Sequence, residues 1–275
     1  MSMAAEDTAQ AKLSRLQKRL RGFGSAAVAF SAGVDSTFLL AVAQETLGTA
    51  LVAITVRFRD FPQRESETAA AFCDERGIRH EIVEMDVMSV PGFAENPPDR
   101  CYLCKRAIFE RILSVANEQG AAVVLEGANR DDDADYRPGR RALRELGILS
   151  PLHEAGLTKE EIRALSREMG LPTWCQPSAP CLASRFPYGR RITPEAIARV
   201  DRAERWLDAA FGGLGQLRVR IHGDMARIEV ARERFPDILA RSEEIAAEFR
   251  RIGFIHVALD LRGYRTGSLN EGLKG

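Results

Sequence analysis

Residues 29–37 read Ala-Phe-Ser-Ala-Gly-Val-Asp-Ser-Thr. An apolar run at 26–30 predicts a buried strand before this stretch, and residues 37–43 continue with helical spacing. The turn between them therefore lies at the carboxyl end of a strand. There a glycine lets a ligand approach the backbone, serine hydroxyls donate hydrogen bonds, and the first amides of the helix favour an anion. The stretch predicts a phosphate-binding loop, although an ordinary turn has a similar composition.

Bulk composition narrows the class of partner. A chain of 275 residues with 45% hydrophobic residues is long enough for about two domains. Lys and Arg number 39 and Asp and Glu number 39, so no global basic field indicates nucleic-acid binding, and a small charged metabolite is the expected partner. No apolar stretch approaches the ~20 residues of a membrane span, and the first residues do not resemble a signal peptide. We therefore expect a cytoplasmic protein without a membrane partner.

Strand-like and helix-like segments alternate along the first two thirds of the chain. This alternation predicts an α/β fold with a doubly wound parallel sheet covered on both faces. Beyond Thr193-Pro194, a favourable helix start, the pattern changes to that of a second, smaller α+β domain. We predict domains at 1–190 and 191–275, with residues 1–11 disordered.

Polar residues follow the predicted strand at 122–125. Ligands of parallel sheets bind beyond the carboxyl ends of the strands, so these residues are expected on the functional rim. They could hold magnesium or form a solvated acidic loop. The residues are Glu126, Asn129, Asp131, Asp132, Asp133 and Asp135.

Five cysteines, two of them in Cys101-x-x-Cys104, indicate metal or redox chemistry rather than a disulfide framework. With Cys181 they would supply three thiolates, which suit an iron-sulfur cluster with one iron left open. Zinc is compatible with the same ligands, and so is a reading of the pair as reduced thiols at a helix start and of Cys181 as a small apolar filler. The remaining two are predicted to pack in the interior: Cys73 and Cys175.

Six motifs together carry a resemblance to a known family: Ser-Ala-Gly-Val-Asp-Ser (31–36), Arg-Cys-Tyr-Leu-Cys-Lys (100–105), Glu-Gly-Ala-Asn-Arg-Asp-Asp (126–132), Asp-Tyr-Arg-Pro-Gly (135–139), Pro-Cys-Leu-Ala-Ser-Arg-Phe-Pro-Tyr-Gly (180–189) and Gly-Tyr-Arg-Thr-Gly-Ser-Leu-Asn (263–270). They resemble the LarE family of ATP-dependent sulfur transferases, which belongs to the PP-loop ATP pyrophosphatases. The first motif is similar to the Ser-Gly-Gly-x-Asp-Ser signature of that superfamily, with Ala32 where glycine is usual. The match runs from about residue 12 to the end.

The resemblance implies a PP-loop domain and a small α/β domain that helps to build a homohexamer. It also implies a small-molecule substrate, pyridinium-3,5-biscarboxylic acid mononucleotide. ATP adenylates a carboxylate of this substrate, which becomes a thiocarboxylate on the way to the nickel-pincer cofactor of lactate racemase. The sulfur comes either from a sulfide on a four-iron, four-sulfur cluster or from a single cysteine that becomes dehydroalanine.

The resemblance also assigns residues. Cys181 is the expected catalytic residue, and Cys101, Cys104 and Cys181 are the expected cluster ligands. Residues expected to bind ATP and Mg²⁺ are Ser31, Gly33, Val34, Asp35, Ser36, Thr55, Glu126, Asn129 and Asp135. Residues expected to bind the substrate are Tyr102, Arg185, Arg218, Arg220 and Arg265.

Chemistry supports the choice of arginines and leaves the role of Asp35 open. Adenylation brings two anions together, the substrate carboxylate and ATP. Arginine guanidinium groups, which bind an anion through two hydrogen bonds, can offset their repulsion. Arg218 and Arg220 would share one face of a strand, although surface arginines have the same spacing. Asp35 could hold Mg²⁺ or brace its loop by accepting backbone amides.

Other activities fit parts of the pattern. A PP-loop tRNA thiolase also combines the nucleotide turn with three cysteines, but the neutral net charge disfavours an RNA substrate. A non-enzymatic ATP-binding regulator is a possibility of another class, because related folds bind nucleotides without turnover. A synthetase that uses ammonia would leave the three thiols without a purpose.

Overall fold

The computed structural model describes residues 7–59, 61–134, 138–177 and 180–273. The chain forms two compact units. Among the described residues, the first consists of 7–59, 63–87, 101–134 and 138–176, and the second combines 61–62 and 88–100 with 177 and 180–273. By contact, residues 177 and 180–190 therefore group with the second unit. The domain division at residue 190 stays a prediction.

The first unit is built on a parallel sheet of four strands in the order β3-β2-β1-β4. Apolar β-branched residues and alanines make the two central strands almost fully buried, as expected for a sheet covered on both faces. The strands are β1 (Ala26–Ala29), β2 (Leu51–Phe58), β3 (Arg79–Met85) and β4 (Val123–Leu125).

Seven helices cover this sheet within the described residues: α1 (Ala9–Arg21), α2 (Val34–Leu47), α3 (Arg64–Arg76), α4 (Arg100–Glu118), α5 (Gly139–Glu145), α6 (Pro151–Glu154) and α7 (Lys159–Glu168). Leu16, Phe38 and Ile162, from α1, α2 and α7, belong to one apolar cluster, with Val28 from the sheet. Phe109 and Leu143, from α4 and α5, belong to a second cluster, whose residues from the sheet include Ala27. Because neighbouring residues of a strand point to opposite faces, the two clusters lie on the two sides of the sheet.

Local signals set several helix ends. Thr158 and Glu161 form a capping box at the start of α7, in which each side chain accepts a backbone amide. One expectation is corrected, since residues 9–11 form the first turn of α1 rather than a disordered start. α4 begins at Arg100, so Cys101 and Cys104 both lie in its first turns.

The second unit contains a mixed sheet of three strands, in which β6 pairs antiparallel with β5 and parallel with β7. Its elements are α8 (Pro194–Ala210), β5 (Arg218–His222), β6 (Met225–Glu229), α9 (Phe235–Ala240), α10 (Ser242–Ile252) and β7 (His256–Leu259). α8 contacts β5, and α10 contacts both α8 and β7. Thr193 caps α8 and Pro194 occupies its first turn, as predicted.

The predicted fold class, a doubly wound parallel sheet with a smaller α+β unit, is confirmed. Among the described residues, none of the helices combines the length and the hydropathy that crossing a lipid bilayer requires.

The order of the strands in the four-stranded sheet indicates where a ligand binds. The chain leaves β1 towards β2 on one side, whereas β4 lies on the other side, and ligands bind at such a switch of direction beyond the carboxyl ends of the strands.

Candidate functional site

The nucleotide loop, residues 31–36, lies at this switch point, between β1 and α2. The hydroxyl oxygens of Ser31 and Ser36 are 3.1 Å apart, and the Ser36 hydroxyl donates to the Gly33 carbonyl at 3.2 Å. Gly33 is the N-cap of α2 and offers no side chain to its first amides. Those amides therefore suit a phosphate, since a helix start attracts anions.

In the nucleotide loop the left-handed backbone conformation occurs at Ala32 and not at Gly33. Ala32 has a φ of 55°, in the left-handed region that glycine adopts at lower cost. Gly33 has an extended backbone with a φ of −79°, and a Cβ placed there would meet Ser31 Oγ at an ordinary 3.5 Å. Gly33 therefore needs no special conformation, and its small size matters for close approach of a ligand.

Thr55 supports the nucleotide loop through a hydrogen bond to the end of β1. Its buried hydroxyl donates to the carbonyl of Phe30 at 2.8 Å and lies 2.8 Å from Nε2 of His80. This hydroxyl fixes the end of β1 just before Ser31. Direct contact between Thr55 and ATP stays a prediction.

Asp35, the acidic residue of the nucleotide loop, pairs with the ammonium group of Lys159 at the start of α7. The carboxylate oxygen that Lys159 does not contact, Oδ1, is buried and accepts no hydrogen bond from the described residues. The backbone amide of Lys159 also donates to Asp131 at 2.8 Å. An oxygen left in this state suits a magnesium ion, which prefers carboxylate ligands.

The rim that follows β4 is held by hydrogen bonds of two buried polar residues. Glu126 is buried and accepts a hydrogen bond from the hydroxyl of Ser150. Asn129 is also buried. Its side-chain oxygen accepts a hydrogen bond from the backbone amide of Asp131 at 2.9 Å, and its backbone amide donates to the carboxylate of Asp132 at 3.0 Å. These contacts fold the acidic run into a compact turn. Asp135 lies outside the described residues.

Gly127 marks the closest approach between this rim and the nucleotide loop. A Cβ at Gly127 would lie 3.0 Å from the backbone nitrogen of Ser36 and 3.3 Å from the backbone carbon of Asp35. The start of α2 would have to shift to admit a methyl group. We expect Gly127→Ala to weaken binding of a non-hydrolysable ATP analogue by about tenfold, or ~1.4 kcal/mol. Calorimetric titration measures this, and an unchanged dissociation constant together with an unchanged thermal midpoint would contradict it.

The thiols differ in exposure. Cys101 and Cys104 are half-buried at the start of α4, three residues apart and so on one side of the helix, while Cys181 is exposed. Cys73 is buried as predicted, and burial, followed by the charge of Asp74, raises its pKa to about 12. Cys175 was predicted to pack but is exposed. In the part of the chain that is described, no three His, Cys, Asp or Glu side chains form a group that could hold a metal ion.

Tyr102, which lies between the two cysteines of α4, contacts α5. Its hydroxyl donates to Glu145 at 2.6 Å, and the Arg141 guanidinium lies 3.8 Å from the centre of its ring. These contacts hold α5 against the start of α4. Substrate binding by Tyr102 stays a prediction.

Arg185 holds the segment around Cys181 in place. Its guanidinium is 3% exposed and makes two 2.8 Å hydrogen bonds to the carboxylate of Glu204 on α8. Its Nη1 donates to the carbonyls of Pro180 at 2.9 Å and Cys181 at 3.4 Å. Arg185, which the sequence predicts to bind the substrate, is thus hydrogen-bonded to the backbone carbonyls on both sides of the Cys181 side chain.

Arg218 and Arg220 alternate on β5 and lie on the same face of the strand, as predicted. Arg220 forms a two-pronged pair with the fully buried Glu229, with distances of 3.1 and 3.0 Å. Burial, followed by the nearby Arg185, lowers the pKa of Arg218 below its usual value. This crowding of cations would be relieved by a bound anion.

A cavity of about 360 Å³ opens beside these arginines in the second unit. Burial, followed by the charges of Arg227 and Arg220, lowers the pKa of His222 in its wall. Three of the lining residues are arginines, which pair with the carboxylates of Glu204 and Glu229 and could donate further hydrogen bonds to an anionic ligand. The lining residues are Arg185, Pro187, Tyr188, Arg220, His222, Arg227, Ser268 and Leu269.

Arg265, the fourth predicted arginine, pairs with Glu271 at 3.1 Å and lies 3.8 Å from Asp260. Its role in substrate binding stays a prediction. The sequence reasoning missed Lys159, His222 and Arg227. The i, i+2 spacing of Arg218, Arg220 and His222 could have indicated the third member of that face, but nothing local pairs Lys159 with a residue 124 positions away.

The chain is similar in sequence to a protein-family model and to several known proteins. The asparagine synthase family model matches residues 14–128, which include the nucleotide loop. The chain is 40% identical to an uncharacterized protein of Synechocystis sp. over 95% of this chain and 98% of that protein. It is 36% identical to the pyridinium-3,5-bisthiocarboxylic acid mononucleotide synthase of Lactiplantibacillus plantarum over 97% of this chain and 96% of the synthase. It is also 27% identical to the argininosuccinate synthase of Haloarcula marismortui, over 55% of this chain and 38% of that enzyme.

Proposed function

Because this chain belongs to the family of pyridinium-3,5-bisthiocarboxylic acid mononucleotide synthases, the LarE family, we propose that it is an ATP-dependent sulfur transferase. In this proposal it adenylates a carboxylate of pyridinium-3,5-biscarboxylic acid mononucleotide and converts it to a thiocarboxylate. The observation that carries the proposal is the 36% identity to the L. plantarum synthase, because it extends over almost the whole of both chains. The nucleotide loop at the switch point of the sheet supports the use of ATP.

The first step is the attack of a substrate carboxylate oxygen on the α-phosphorus of ATP, with pyrophosphate as the leaving group. The first amides of α2 and the hydroxyls of Ser31 and Ser36 would hold the phosphates. Asp35 would contribute its buried Oδ1 to Mg²⁺. The arginine-lined cavity of the second unit would hold anionic groups of the mononucleotide.

The second step forms a carbon–sulfur bond at the adenylated carbonyl and releases AMP. Three thiolates suit a four-iron, four-sulfur cluster with one iron left open, and Cys101, Cys104 and Cys181 would be its ligands. The described residues do not gather these thiols into one group, so they would have to come together when the cluster binds. When bound, the cluster would supply an exchangeable sulfide. Without it, Cys181 would give up its own Sγ and become dehydroalanine. The homohexamer and the cytoplasmic location stay predictions.

The test is an anaerobic reaction of the purified protein with ATP, Mg²⁺ and the biscarboxylic acid mononucleotide. We expect AMP and pyrophosphate in equal amounts and a substrate mass that reflects exchange of oxygen for sulfur. A non-enzymatic regulator would release no pyrophosphate, and a tRNA thiolase would need tRNA as the acceptor. Release of ADP and phosphate, or of pyrophosphate without the carboxylate substrate, would rule out the proposal.

A further inference from the structure

The second unit holds the reactive thiol in a loop that a distant part of the chain supports. We define the cysteine loop as residues 181–189 and the bracing segment as residues 93–100. Both belong to the second unit, although some eighty residues separate them in sequence. The bracing segment runs directly into Cys101, so it also connects to the two other thiols through the chain.

Asn96 is the centre of the bracing segment. It is fully buried and has a φ of 56°, in the left-handed region. Its side-chain nitrogen donates to the carbonyls of Pro187 at 2.8 Å and Phe186 at 3.3 Å, and its backbone carbonyl accepts the amide of Gly189 at 2.8 Å. Asn96 therefore fixes the second half of the cysteine loop.

Arg100 fixes the first half. Its guanidinium is 3% exposed, and Nη1 donates to the side-chain oxygen of Asn96 at 2.5 Å and to the carbonyl of Ala183 at 2.8 Å. The same guanidinium lies 5.9 Å from the centre of the Tyr188 ring. Since a buried acceptor that loses its donor costs free energy, removal of either side chain lets the loop shift to satisfy its carbonyls elsewhere.

We propose that Asn96 and Arg100 are positioning residues for the sulfur donor at Cys181. The inference rests on the proposed function and deepens it. Sulfur transfer needs the reacting atoms held near contact distance, and a misplacement of 1 Å is enough to slow such a step severely. Adenylation uses the nucleotide loop of the first unit, whereas the cysteine loop contributes Arg185, Pro187 and Tyr188 to the cavity proposed for the substrate. At saturating substrate, which offsets weaker binding there, loosening the cysteine loop should slow the second step more than the first.

Asn96→Gly is the sharpest test, because glycine adopts a φ of 56° readily and the substitution removes only the side-chain bonds. At saturating substrate we expect pyrophosphate release to stay within about twofold of the wild-type rate, while thiocarboxylate formation falls by roughly tenfold or more. Arg100→Met should have the same effect, and Arg100→Lys should restore part of the second rate. The matched control is Arg191→Gln, which removes an ion pair between Glu95 of the bracing segment and a residue just beyond the cysteine loop, with both side chains more than half exposed.

A second readout does not depend on turnover. The rate of alkylation of Cys181 by iodoacetamide should change by about threefold or more in Asn96→Gly, while the rate at the exposed Cys175 stays constant. Wild-type rates of sulfur transfer and alkylation in Asn96→Gly, or an equal loss of both catalytic steps, would overturn the inference. An altered alkylation rate in a protein whose wild type makes no AMP would support positioning and refute only the proposed function.

Discussion

Replacing Cys181 with alanine is expected to abolish thiocarboxylate formation while pyrophosphate release from ATP continues. The turn around Cys181 is fixed through its carbonyl, which accepts the amide of Ser184 at 2.9 Å and the Arg185 guanidinium at 3.4 Å. Alanine keeps this carbonyl, so the loop should retain its conformation. Adenylation needs no sulfur, whereas both possible sulfur sources require the thiol. Coupled detection of pyrophosphate and mass spectrometry of the substrate separate the two steps.

Cys175→Ala is the matched control, since Cys175 is also exposed and has no assigned role. Variants at Cys101 and Cys104 then distinguish the sulfur sources. If the three thiols hold a cluster, either variant loses iron, sulfide and sulfur transfer together. If Cys181 is consumed, either variant still completes one turnover and the Cys181 peptide loses sulfur. Thiocarboxylate formation by Cys181→Ala at the wild-type rate would contradict the assignment of Cys181.

Glu229→Ala is expected to reduce the free energy of unfolding by about 3–5 kcal/mol, because it leaves the buried guanidinium of Arg220 without its counterion. Glu229 is 0% exposed and accepts hydrogen bonds from Arg220 at 3.1 and 3.0 Å and from Arg227 at 3.0 Å. Arg220 also donates to the carbonyl of Ser184 in the cysteine loop at 2.6 Å. The loss should therefore disturb both the small sheet and the arginine-lined cavity.

Urea denaturation followed by circular dichroism measures this change. Glu248→Ala is the control, because Glu248 pairs with the largely exposed Arg251 at 3.4 Å, and such surface pairs contribute at most about 1 kcal/mol. A double variant that replaces both Arg220 and Glu229 with apolar residues should recover much of the stability, since it leaves neither charge alone. A loss below that of the control would show that Glu229 does not balance the arginines.

The sequence predicts those parts of the fold that depend on local pattern. The apolar runs of β1 and β2 indicate buried strands, and the capping box at Thr158 and Glu161 marks the start of α7. The nucleotide loop was recognisable because its composition, its strand and its helix are contiguous. Each of these signals is contained within fewer than twenty consecutive residues.

Features that depend on distant pairs could not be predicted in this way. Strand spacing placed Arg218 and Arg220 on one face, but only the fold shows that Glu229 neutralises Arg220 and that Arg185 binds Glu204. The left-handed backbone of Ala32 contradicts its intrinsic preference, and such a conformation persists only where the surrounding structure imposes it.

The second unit takes its residues from separated parts of the chain, which limits how the gene can be divided. A fragment that starts at residue 177 would lack the donors of Asn96 and Arg100, and the carbonyls of Ala183 and Pro187 would have no replacement for them. Expression of the carboxyl-terminal part by itself is therefore expected to give an aggregating polypeptide. A gene that fuses residues 88–100 directly to this part is a better route to an isolated, folded second unit.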